Sequence, residues 1–128
     1  LVLDCSALLA ILFDEPDQRA LSEKIEADPR RLLSAVTLVE ASILLLARLS
    51  EAGPLRLNRL LREAQVEVVP VDHAQSEAAI DAFRRFGKGR HPAGLNFGDC
   101  FAYALAAVTG EPLLFKGDDF AKTDIAAA

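Results

Sequence analysis

Short apolar runs alternate along this chain with longer segments of helical periodicity, and that alternation narrows the fold more than any other feature. The runs are Leu1 to Asp4, Arg31 to Val36, Val66 to Val71 and Pro112 to Phe115. Strands separated by helices in this way predict a parallel sheet covered on both faces, an α/β architecture. Four strands are expected, with a weaker fifth near Asp124-Ile125. The 128 residues suit one domain, spanning 1–128, around one hydrophobic core. At 52% hydrophobic and 26% charged residues, the chain should fold as an ordinary globule rather than stay disordered. No internal repeat or linker divides it.

Helices are predicted from Ser6 to Phe13, from the turn Asp14-Glu15-Pro16 to about Ala27, and from Thr37 to Arg48. Gly53-Pro54 separates the third from a helix over Leu55 to Ala64, where Leu57, Leu60 and Leu61 repeat at helical spacing. Another runs from about His73 to Phe86. After a glycine-containing loop, Asn96 caps the last, which reaches about Thr109 and whose alanines let it lie close on a sheet.

Several function classes lose ground on composition. A net charge of −5 argues against a nucleic-acid binder working by bulk attraction. Locally the balance reverses: from Ala82 to Gly98 there is no acid, while Arg84, Arg85, Lys88 and Arg90 are basic. Such a run is more often a solvated loop than a binding surface. Cys5 and Cys100 do not form a disulfide framework, and His91 is not at a zinc-motif spacing from Cys100, so both cysteines read as small buried hydrophobes. The longest nearly uncharged stretch, Leu32 to Ala47, is broken by Glu40 and too short for a bilayer. Asp4 stands where a secretory leader would be basic or apolar. A soluble, cytoplasmic protein is the expectation.

In an open parallel sheet, chemistry sits outside the carboxyl ends of the strands. Asp4 ends the first strand, Glu40 follows the second, Asp118 lies just past the last, and Asp99 is in the first turn of the helix leading into it. Each has an ordinary alternative. Thr37-Leu38-Val39-Glu40 and Asn96-Phe97-Gly98-Asp99 both have capping-box spacing, Asp4 is a candidate N-cap, and Asp118 and Asp119 are turn residues. The coincidence of these acids on one edge favours a site. Clustered carboxylates repel and need a divalent cation, and oxygen-only ligands select magnesium or manganese. Such a centre suits water activation and neutralisation of a phosphodiester.

At these residues the chain resembles the PIN-domain ribonucleases, specifically the VapC-type toxins of bacterial toxin–antitoxin pairs. The likeness rests on Leu3-Asp4-Cys5-Ser6-Ala7, on Thr37 to Ala41, on the block from Gly87 to Cys100, and on Leu114 to Phe120. It implies a magnesium-dependent endoribonuclease, with manganese able to substitute. Asp4 and Asp99 would be the principal ligands, with Glu40 beside them and Asp118 completing the quartet. Asp119 follows immediately and is able to exchange roles with Asp118. Ser6 would orient Asp4 or a water. Cys5 stands where the family commonly has threonine, and activity is expected to survive that departure.

The resemblance also implies a cognate antitoxin and a homodimer. Ile43 to Leu46, Leu49, Leu55, Leu57 and Leu60 offer apolar surface for either, although two helices packing on one another would also use them. Lys88 and Arg90 are the candidates for contacting RNA phosphates. The rival reading is a catalytically degenerate domain of the same fold serving as a binding scaffold. A phosphorylated receiver would pair two acids after the first strand, and an Asp-x-Asp phosphatase would need an acid where Ser6 stands, so neither fits.

Overall fold

The computed structural model describes residues 1–128. Its strands are β1 (Val2–Leu3), β2 (Leu32–Ser34), β3 (Glu67–Val69) and β4 (Leu113–Leu114). The helices are α1 (Cys5–Leu12), α2 (Gln18–Ala27), α3 (Ala35–Leu49), α4 (Ala52–Glu63), α5 (His73–Phe86) and α6 (Phe97–Thr109), followed by a 3-10 turn at Phe120–Lys122. The strands form one parallel sheet in the order β3-β2-β1-β4, as the alternation predicts.

The pleat sorts the short strands into two layers. Val2 pairs with both Leu32 and Leu113, and all three turn to the layer holding Ala79, Ala82 and the inner face of α6. Leu3, Leu33 and Leu114 turn the other way, onto Leu8, Leu21, Leu45 and Leu57 of α1 to α4. Ala102, Ala104 and Ala106 are buried, and these small side chains let α6 lie close over the strands. No helix is long and apolar enough to cross a membrane.

Several boundaries differ from expectation. α3 starts at Ala35 rather than Thr37, because β2 ends at the Ser34–Val69 pair and the Ser34 hydroxyl caps the helix through Val36 N–H. Gly53-Pro54 does not separate helices but lies in the first turn of α4. Proline is tolerated there because its missing N–H would have no partner anyway. The break falls instead at Ser50, whose φ is 52°. Gly53 packs so tightly on α3 that a Cβ would lie 2.6 Å from the Leu45 carbonyl oxygen. Pro16 precedes α2 rather than entering it. The run from Val66 to Val71 keeps only three residues as strand, with Glu67 and Val68 exposed on the sheet edge. The fifth strand reduces to a single parallel bridge between Leu113 and Ala127, beyond Asp124-Ile125.

Candidate active site

Asp4 follows β1 directly. Its N–H makes a ladder bond to Leu114 O at 2.9 Å, and its side chain caps α1. Asp4 Oδ2 accepts from Ser6 N–H at 2.9 Å and from the Ser6 hydroxyl at 2.6 Å. The same Ser6 oxygen accepts from Lys116 N–H at 2.9 Å. One hydroxyl thereby ties the carboxyl end of β1 to that of β4. Asp4 is only 4% exposed, and burial, with a smaller push from Asp119, raises its carboxyl above the ordinary range against the pull of the Ser6 bonds.

Asp99 is the third residue of α6 and belongs to a complete capping box. Asp99 N–H donates to Asn96 Oδ1 at 2.9 Å, and Asn96 N–H donates to Asp99 Oδ2 at 3.0 Å. Burial raises the carboxyl to about 6; the bond from Asn96 opposes this, and Asp4 and Asp119 add to it. Glu40, in contrast, caps nothing. It lies in the second turn of α3, because Ser34 occupies the cap expected at Thr37. Thr37 is itself buried, with its hydroxyl unpartnered. Burial, then Asp4, then Asp99 push Glu40 up to about 7.

These effects define which acids come together. Asp4 and Asp99 both act on Glu40, Asp4 acts on Asp99, and Asp119, from the loop after β4, acts on Asp4 and Asp99. Asp118 and Asp119 are both exposed on that loop, and of the two only Asp119 is among the charges acting on the other acids. The charges bearing on Asp4, Glu40 and Asp99 are all negative. Lys116, whose backbone touches Ser6, turns its ammonium away to Glu15 and to Asp17. Buried carboxylates left without a basic partner are costly as anions.

No group of three or more His, Cys, Asp or Glu side chains is drawn together tightly enough to enclose a metal directly. The chemistry of the donors suits magnesium all the same: Asp4, Glu40 and Asp99 offer oxygen only, and that ion keeps several of its waters and takes only one or two carboxylates directly. Cys5 lies beside them, and burial, then Glu40, Asp4 and Asp99, push its thiol up to about 12. Both cysteines are buried and free, as expected.

The basic run splits. Arg84 and Arg85 pair with Asp81, each at 3.5 Å, and Arg85 also binds Asp124 at 2.6 Å. Lys88 and Arg90 are exposed on the loop closed by Lys88 N–H to Leu95 O at 2.9 Å. Among the apolar candidates, Leu45 and Leu57 are fully buried core residues, whereas Ile43, Leu44, Leu46 and Leu55 are exposed. Val36, Val39, Ile43 and Leu44 join Asn96, Phe97 and Gly98 around a cleft of about 410 Å³ that includes Glu40. A second cleft, of about 470 Å³, lies between α5 and α6 and shares Phe97, which is 73% exposed. Residue order did not mark Phe97 or Gly98. The one usable signal was a glycine within the first turn of a helix, where it is unfavourable unless another group approaches closely.

This sheet, with acids gathered at its carboxyl edge, is that of the PIN domain: the model of that family matches residues 1–126, and the chain belongs to it. Within the family it is of the VapC type. It is 51% identical over 127 residues to Ribonuclease VapC of Mycolicibacterium smegmatis, covering 99% of this chain and 98% of the relative. Ribonuclease VapC30 of Mycobacterium tuberculosis is 49% identical over 126 residues, covering 98% of this chain and 96% of the relative. Among solved structures, the sarcin-ricin loop cleaving toxin VapC20 of Mycobacterium tuberculosis superposes with a TM-score of 0.77 at 17% identity, covering 99% of this chain and 97% of that one. A toxin–antitoxin complex from Klebsiella pneumoniae gives 0.71 at 17% identity, covering 99% and 95%.

Proposed function

We propose that this chain is a magnesium-dependent endoribonuclease toxin, acting in the cytoplasm and held inactive by a cognate antitoxin. The observation that carries the reading is the group of acids at the carboxyl edge of the sheet, Asp4 buried and Glu40 and Asp99 half-buried, with only negative charge acting among them. Relatives named as ribonucleases over nearly the whole chain support the same activity.

In this reading Asp4 and Asp99 are the principal ligands, with Glu40 beside them. Asp119 supplies the fourth charge and Asp118 supports it from the exposed loop. A bound magnesium or manganese ion would make a water more acidic and offset the charge gathering on a phosphodiester under attack. The chain's own residues set the geometry. Ser6 fixes the Asp4 carboxylate by two hydrogen bonds on one oxygen. The capping box fixes Asp99 at the start of α6. Lys88 and Arg90 hold flanking phosphates of the RNA, and Phe97 with the exposed face of α3 receives the antitoxin. A homodimer uses the remaining apolar surface.

The test is incubation of purified protein with total RNA, with and without millimolar magnesium, and mapping of the cleaved ends. Cleavage that needs the cation and is absent from Asp99→Asn supports the proposal. Intact RNA under every condition, with the antitoxin removed, would leave the degenerate scaffold in its place.

A further inference from the structure

Gly98 is the second residue of α6, between the exposed Phe97 ring and Asp99. A Cβ built on it would fall inside the Glu40 carboxylate, overlapping Oε2 and lying 2.5 Å from Cδ and 3.0 Å from Oε1. These are its three nearest atoms, and all belong to one side chain. Backbone conformation does not explain the glycine, because Gly98 is not among the positive-φ residues. Within a helix, alanine is the more favourable residue. The contact with Glu40 does explain it. Glu40 takes part in none of the side-chain hydrogen bonds or ion pairs of the structure, so its position rests on packing.

We propose that Gly98 is a positioning residue. Its bare α-carbon is the seat on which the Glu40 carboxylate rests, and it thereby sets how tightly the site takes a divalent cation. This rests on the metal-site reading above. The helix that carries Asp99 also forms the floor beneath Glu40, so a crossing of α3 and α6 fixes the separation of two acids that share no bond. Any larger residue at position 98 would push the carboxylate out of the cluster while leaving Asp99 and its capping box in place.

The experiment is Mn2+ binding by calorimetry and electron spin resonance, with melting curves in chelator, on the parent chain and three variants. Gly98→Ala should weaken Mn2+ binding roughly 10–100-fold, the usual loss when a ligand's support is removed. Gly98→Ala with Glu40→Asp, whose carboxylate is one methylene shorter, should bind better than Gly98→Ala alone. Gly98→Ala with Glu40→Ala should melt at or above Glu40→Ala, since the overlap is gone and alanine favours the helix. That last comparison holds even if Gly98→Ala does not fold by itself. Parental Mn2+ affinity in Gly98→Ala, no recovery in the shortened pair, or a double alanine variant melting below Glu40→Ala would each overturn the inference. No Mn2+ binding by the parent would overturn the metal site itself, and this inference with it.

Discussion

Asn96 and Asp99 hold each other across the first turn of α6, each side chain accepting from the other's backbone N–H, at 2.9 and 3.0 Å. The helix cap and the candidate metal ligand are therefore one carboxylate. Asp99→Asn separates the two roles, because an amide oxygen still accepts from Asn96 N–H while the charge is gone. RNA cleavage should be abolished. The metal-free protein at pH 8 should gain on the order of 1–2 kcal/mol, since a half-buried carboxylate raised to about 6 is ionised there at a cost. Chemical denaturation in chelator measures it, and a clear loss of stability would show that the cap outweighs the repulsion.

Glu40, raised to about 7, and Asp99, raised to about 6, make the stability of the cation-free protein depend on pH. Each folded-state pKa lies above the unfolded one, so the folded protein binds more protons. Their contribution is fully present below about pH 4, falls as pH rises, and levels off above about 7. Melting temperature in chelator should therefore decline between pH 5 and pH 7.5. Magnesium bound by the folded form alone, as proposed, should at millimolar concentration flatten or reverse that slope. Identical slopes with and without magnesium would contradict the site.

Ser6→Ala removes the hydroxyl joining Asp4 Oδ2 to Lys116 N–H. A cost of about 1–2 kcal/mol is expected from the two lost bonds, together with a magnesium requirement raised roughly tenfold or more. Ser6→Thr keeps the hydroxyl and should restore both. Magnesium titrations of cleavage, run beside melting curves, separate a displaced Asp4 from a merely weakened fold.

Lys88 and Arg90 form no ion pair in the structure, whereas Arg84 and Arg85 are engaged by Asp81 and Asp124. Neutralising the first pair should weaken RNA binding and flatten its salt dependence by up to roughly two phosphate contacts. Neutralising Arg84 should change the slope little. Binding to an uncleaved RNA in chelator, across a series of salt concentrations, distinguishes them. Equal effects from both substitutions would mean that the loop has no special contact with RNA.

Two stretches with identical spacing show where reading the residues succeeded and where it failed. Asn96 to Asp99 is a real capping box, legible because the glycine- and proline-containing loop before it leaves only one place for a helix to begin. Thr37 to Glu40 has the same pattern and is none, because Ser34, another capping residue three positions earlier, ends the ladder with Val69. Only strand register, a long-range property, decides between them. The order of strands and helices was legible because alternation and helical periodicity are local. That the charge of Asp119 rather than Asp118 reaches Asp4 and Asp99 was not legible, since two adjacent acids in one turn are alike in sequence. Glu40→Gln should accordingly leave α3 capped and the melting point at or above parental, while cleavage is lost.

The acids depend on neighbouring strands that lie far apart in sequence: β1 is made well before its neighbour β4. Until Leu114 and Lys116 have left the ribosome, the N–H of Asp4 lacks its ladder partner and the Ser6 hydroxyl lacks the backbone donor that fixes it. Pairing across so long a loop is also slow compared with local helix formation. A nascent chain can thus carry formed helices before this edge is complete. The acid-bearing edge is therefore completed only once β4 has emerged, after the helices between the two strands have had time to form.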